Sequence, residues 1–154
     1  ELIVQRCYMD KHSKALPIED RIEVISVGLS FKRFLEIAEK IGKPTAVVTD
    51  NDHNHAKKVV KKYKAWETSS VVKIFADDRN ELHTLEPQFA DANKDELEKL
   101  CKVLKIDSAD YNTAEKVSRW MKKHKTDWAL AVFSSKKKFS YPQYIIDAVD
   151  WCDA

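Results

Sequence analysis

Short β-branched runs alternate with helically spaced segments along these 154 residues, which predicts an α/β fold. The expected architecture is a mainly parallel, Rossmann-like sheet flanked by helices, with a helical C-terminal third from about residue 94 to 154. Two further observations support it. The run Ala46-Val47-Val48 is continuously apolar, as a buried parallel strand is. It leads directly into two carboxylates, Asp50 and Asp52, and open α/β sheets carry their reactive groups where such strands end.

The elements follow in order. Leu2, Ile3, Arg6, Cys7 and Met9 have helical spacing, which persists to about Lys14 before Leu16-Pro17 breaks it. The chain thus opens in helical character at Glu1, and a strand is expected to precede it. Ile22–Val27 is predicted as a strand ended by Gly28. Ser30 is an expected N-cap for a helix over 31–40, with Phe31, Phe34, Leu35 and Ala38 on one face. Gly42 closes that helix, and Pro44 opens a strand to Asp50. A basic helix is expected from about His55 to Tyr63, a strand over 70–75 and a short strand over 82–85. Helices are expected over 94–105, 113–123, 127–134 and 142–152.

Composition excludes several classes. Charged residues at 34% against 44% hydrophobic suit a globular chain of one domain, not a disordered one. A net charge of +2 argues neither for nor against a nucleic-acid partner. No apolar run approaches the ~20 residues of a membrane span, and no secretory leader is visible, so a cytoplasmic protein is expected. Cys7, Cys101 and Cys152 are odd in number and far apart, which suits reduced thiols rather than a disulfide or zinc framework.

The chemistry concentrates in Pro44-Thr-Ala-Val-Val-Thr-Asp-Asn-Asp-His53. Two carboxylates one residue apart, with Asn51 between them, offer oxygen ligands to a hard divalent cation. The competing reading is helix capping, which accounts for one Asp but not for both. His53 and His55 bring zinc to mind, but imidazoles two apart in a turn seldom share a metal and no Cys is near. Lys57, Lys58, Lys61 and Lys62 form a basic stripe with Tyr63 and Trp66 interleaved, suited to DNA phosphates and equally to a solvated face. Asp77-Asp78 is expected to be a charged turn, and the aromatic residues of the C-terminal helices are expected to pack the core.

Two acidic-strand architectures fit poorly. A haloacid-dehalogenase-type phosphatase needs its Asp on the first core strand, and a receiver domain carries its acidic pair earlier. The order of motifs instead resembles the TOPRIM domain of OLD-family (overcoming lysogenization defect) ATP-dependent endonucleases. The residues carrying the resemblance are Val24-Ile-Ser-Val-Gly-Leu-Ser-Phe-Lys-Arg-Phe-Leu35, Ala46-Val-Val-Thr-Asp-Asn-Asp52 and Thr84-Leu-Glu-Pro-Gln-Phe89. His124-Lys-Thr-Asp-Trp-Ala-Leu130 and Tyr141-Pro-Gln-Tyr-Ile-Ile-Asp-Ala-Val149 continue it in the same order.

The resemblance implies a two-metal DNA endonuclease using Mg²⁺ or Mn²⁺. Asp50, Asp52 and Glu86 would be metal ligands, with Asp50 also catalytic, and Lys125 would stand beside the scissile phosphate. Lys136-Lys-Lys138 is its competitor for that role. The family's first-strand Val-Glu-Gly is not in this sequence, so its Glu is expected upstream of Glu1, with Glu1 itself a candidate for a second acidic position of the same turn. ATP would enter only through an upstream ATPase domain, which would also make the homo-oligomer; DNA is the implied partner and phage defence the implied setting. The chain by itself is therefore expected to bind metal weakly and cut poorly. The alternative is a non-catalytic module of the same fold that binds DNA or docks a protein.

Overall fold

A computed structural model describes residues 1–153. The chain runs α1 (Leu2–Lys11), α2 (Phe31–Ile41), β1 (Thr45–Val48), β2 (Val72–Phe75), α3 (Leu85–Ala92), α4 (Leu97–Leu104), α5 (Ala114–Lys123), α6 (Lys125–Ser134) and α7 (Gln143–Cys152). The sheet is smaller than expected. Among the described residues it has two parallel strands, with Thr45 paired to Val72 and Val48 to Phe75.

Alternation along these strands divides the interior. Val48 and Phe75 face a large core made by α1 and α3–α7, centred on Ile3, Phe89, Leu100, Met121, Trp128 and Ile145. Val47, Val72 and Ile74 face a smaller core of Phe31, Leu35, Ala38, Val59, Tyr63 and Trp66. Helices thus cover both faces of the strand pair, which is the α/β layering the sequence predicts.

Gly42 ends α2 at φ +65°, with its N–H bonded back to Ala38 and Glu39 carbonyls, as a left-handed glycine cap does. Ser30 makes no side-chain cap; a 3₁₀ turn over Gly28–Ser30 leads into α2 instead. Phe31, Leu35 and Ala38 are buried as expected, whereas Phe34 is 48% exposed.

Three expected elements differ. Ile22–Val27 is not a strand. Its first amide bonds to the Pro17 carbonyl and its end feeds the turn at Ser30, and Ile25 is 59% exposed. β-propensity expresses itself only against a partner strand, and this segment has none. Residues 82–85 are a turn and the start of α3. The Leu82 carbonyl is taken by the Asn51 and Gln88 side chains and the His83 carbonyl by the Asp52 amide, so no ladder is left to form. The basic helix is a π-helix over Ala56–Lys61 followed by a 3₁₀ turn over Lys64–Trp66. Among the described residues no helix is long and apolar enough to cross a membrane.

α1 is tied to the far end of the molecule by Arg6, which is 1% exposed. Its guanidinium donates to the carbonyls of Val132 at 2.9 Å, Phe133 at 2.8 Å and Lys137 at 2.8 Å, and to that of Ser135. Val132 and Phe133 are in the last turn of α6 and Ser135 and Lys137 just past it, where a cation also complements the helix dipole. Asp10 balances the guanidinium at 3.2 Å.

Candidate metal and phosphate site

β1 ends at Val48, and the chain turns sharply over residues 50–53. Asp52 and His53 both take left-handed backbone, at φ +45° and +66°. Non-glycine residues adopt this region at a cost, so something must hold the turn. Asn51 does so. It is fully buried; its amide donates to the carbonyls of Asp77 and Arg79, each at 2.9 Å, while its own oxygen accepts from the His53 N–H at 3.0 Å. Asn51 therefore points inward and holds the turn from within, leaving the two flanking Asp as the outward carboxylates.

Asp50 faces the N-terminal end of α3. Burial pushes its pKa up to about 6; the negative charges of Glu86 and Asp52 add to the rise, and Lys125 and the Leu85 N–H oppose it. The structure thus brings Asp50, Glu86 and Lys125 to one corner. Glu86, in the first turn of α3, is 6% exposed, and Lys125 Nζ, from the first residue of α6, lies 3.9 Å from Glu86 Oε1. Tyr144 of α7 closes the floor: its hydroxyl donates to Gln88 Oε1 at 2.7 Å, and the Asp50, Asp77 and Glu86 charges join burial in raising its pKa.

Asp52 stands apart from this corner. Its side chain is 57% exposed and meets Lys58 at 3.6 Å. Among the described residues no three His, Cys, Asp or Glu side chains group closely enough to hold a metal ion. The three carboxylates expected as one ligand set are therefore a buried Glu86 with a half-buried Asp50, plus an outlying Asp52. The pair fits one hard cation by donor chemistry, because Mg²⁺ is commonly held by one or two carboxylates and completes its shell with water and phosphate oxygens.

The remaining candidates are scattered. Lys57, Lys58, Lys61 and Lys62 are all exposed, but they do not form one stripe beside the acidic turn. Lys58 faces Asp52, whereas Lys62 lies over the Phe31 ring at 4.7 Å, and Lys61 and Lys62 line a depression shared with Glu36 and Glu39 of α2. Tyr63 and Trp66, expected between those lysines, are buried core. Asp77 is buried and doubly bonded by Arg79, at 2.7 and 3.0 Å, so it is an anchor of the turn and not a ligand. Lys136 and Lys137 lie past the opposite end of α6 from Lys125. The thiols of Cys7 and Cys101 are buried and free, and burial pushes that of Cys7 up to about 12.

Sequence reasoning missed a histidine pair. His83 stacks on His53 with ring centroids 3.5 Å apart and planes 21° from parallel. His83 Nε2 lies 3.1 Å from Lys122 Nζ of α5. Burial first, and then the nearby Lys122 and His53 charges, hold His83 below its usual range.

A carboxylate pair behind a parallel strand, with a lysine 3.9 Å from one of them, sets oxygen donors and a point charge in one corner. The comparison with protein families is more particular. Residues 1–52 match the family described as Overcoming lysogenization defect protein-like, TOPRIM domain, a metal-binding, nuclease-type class of nucleic-acid domain. The matched span holds α1, α2, β1, Asp50 and Asp52, and the family resemblance drawn from sequence is shown over it. Glu86 and Lys125 lie beyond it. No curated protein and no solved structure matches the chain.

Proposed function

We propose that this chain is the nuclease domain of an OLD-type enzyme, hydrolysing DNA phosphodiesters with Mg²⁺ or Mn²⁺. The observation that carries the proposal is the meeting of two acids and a lysine in one partly buried corner, Lys125 lying 3.9 Å from Glu86; burial first, and then the Glu86 and Asp52 charges, disfavour ionised Asp50 there, a cost a cation would offset. The cation supplies Lewis acidity and a more acidic bound water.

The protein's own groups do the rest. Asp50 and Glu86 would hold the cation, while Asp52, turned out toward Lys58, would join only by leaving that lysine. Asn51 keeps the turn fixed, so the ligands need no rearrangement. Lys125, 71% exposed at its side chain, is free to leave Glu86 and stand beside the phosphate as a point charge. A second cation requires acidic groups additional to these three, so a two-metal arrangement draws on residues outside this set. Lys57, Lys58, Lys61 and Lys62 add backbone attraction at most, and only Lys58 lies at the turn itself.

The test is thermal melting with and without millimolar Mn²⁺. At a tenfold excess over Kd, binding stabilises by about 1.4 kcal/mol, or ~3–6 °C in Tm. We expect that shift in the wild-type chain and its loss in Asp50→Asn. An equal shift in both would remove Asp50 from the site. No shift at all would favour the second reading, a non-catalytic module that binds DNA or docks a protein; the absence of a three-ligand group among the described residues is the observation on its side.

A further inference from the structure

Two ammonium groups approach the acidic turn from one corner. α5 ends at Lys123 and α6 begins at Lys125, with only His124 between them. Lys125 reaches Glu86 at 3.9 Å, and Lys122, three residues earlier, reaches His83 at 3.1 Å. His83 in turn lies flat on His53, the residue following Asp52. Each lysine is thus connected to one half of the turn: Lys125 through Glu86 to Asp50, and Lys122 through the stacked rings to Asp52.

The partner of Lys122 is chemically odd. An ammonium can only donate, so His83 Nε2 must accept. The ring proton then sits on Nδ1, directed at the Glu81 carbonyl 3.4 Å away, and the imidazole is neutral. Among the described residues no carboxylate lies within 4.0 Å of Lys122, whereas Lys125, three residues on, has Glu86 at 3.9 Å. Lys122 is only partly exposed. A part-buried ammonium resting on a neutral ring lacks a counter-charge, and an incoming anion supplies a better partner than the ring does.

We infer that Lys122 is a second phosphate-binding cation of the site, parked on His83 until a nucleic-acid strand arrives. It would take the backbone phosphate next to the one beside Lys125. The inference rests on the nucleic-acid reading above. The stacked His53 and His83 rings then serve as the floor between the two phosphates. As a point charge on a flexible stem, Lys122 adds affinity without reading bases.

The test is binding of a short fluorescent single-stranded DNA to the 154-residue chain in Ca²⁺, followed over a salt series. Each phosphate contact contributes ~0.7 to the slope of log K against log salt for a single strand. We expect Lys122→Ala to flatten the slope by about that amount, so that its affinity deficit grows about fivefold for each tenfold drop in salt. Lys122→Arg should keep the slope. Lys122→Met, which keeps the apolar stem, should behave as Lys122→Ala. An unchanged slope in Lys122→Ala and Lys122→Met, with only a lower Tm, would overturn the inference and leave Lys122 as a tie between α5 and the turn. If the wild-type chain binds no DNA while its Mn²⁺ melting shift is intact, the Lys122 inference falls and the cation reading of Asp50 survives.

Discussion

At Asp50, helix capping and cation binding compete for one carboxylate. The sequence signals both readings, because an apolar run followed by Asp-x-Asp suits either. What it does not signal is which helix is capped. The structure turns Asp50 toward the Leu85 N–H of α3, some thirty-five positions on, and not toward the π-helix that follows directly. Asn51 was illegible for the same reason: its burial depends on carbonyls at Asp77 and Arg79, which no local pattern places beside it. His83 and Lys122 are also joined only by tertiary packing. Arg6 is the strongest such case, being an apparent member of an ordinary helical face whose guanidinium serves four distant carbonyls and Asp10. Arg6→Ala should therefore destabilise the chain by ~2–4 kcal/mol, because it leaves several part-buried carbonyls without their donor, while Asp10 keeps Lys14 and Tyr141. Arg6→Lys should recover little of this, since a single ammonium cannot span the same acceptors. Urea unfolding of the two variants decides the matter, and a loss below ~1 kcal/mol for Arg6→Ala would show that water replaces the guanidinium.

Elements whose signals are local came through best. α2 and its end were legible because Gly42 meets a purely backbone requirement, a left-handed residue one position past the helix. A Cβ placed on Gly42 meets nothing within 4 Å, so the cost of substitution isolates the backbone term. Gly42→Ala should cost ~1 kcal/mol and Gly42→Asn distinctly less, read as midpoints in urea. The elements that failed are those needing a distant partner. Ile22–Val27 has strand-like residues but no strand beside it, and 82–85 spends its carbonyls on Asn51, Gln88 and Asp52. The basic helix formed, but with π rather than α bonding. Its buried residues Val59, Tyr63 and Trp66 pack against α2, while its lysines are spread over the surface between them. A lysine count from sequence could not anticipate that division.

Across the whole molecule, the acidic corner lies where β1, α3, α6 and α7 meet, and its charge is therefore coupled to global stability. The groups facing Asp50 are Asp52 on its own turn, Glu86 and the Leu85 N–H of α3, Lys125 of α6 and Tyr144 of α7. Its pKa rises from an ordinary 3.8 to about 6 on folding, so between these values the native chain holds more protons than the unfolded one. Stability must then fall as pH climbs from about 4 to about 6.5, by ~1–3 kcal/mol, the reverse of the usual aspartate. Asp10 and Asp77 act in the ordinary direction. Burial works against their ionisation, but hydrogen bonds from Lys14 and Tyr141 to Asp10, and from Arg79 to Asp77, outweigh it, so the stability they contribute is lost only below the ordinary carboxylate value of 3.8. His83, held low in the fold, adds stability as pH rises toward 6.5 and no more above it, so it masks part of the Asp50 effect in the same window. The clean comparison is therefore wild type against Asp50→Asn in metal-free buffer. The variant should be the more stable above pH 6.5, with the gap closing toward pH 4. Saturating Mn²⁺ should close it from the other side, by stabilising only the wild type. Chemical denaturation at pH 4.5 and pH 7.5 measures both effects, and a gap independent of pH would mean that the Asp50 carboxylate stays ionised throughout and that its corner carries no stored repulsion for a cation to relieve.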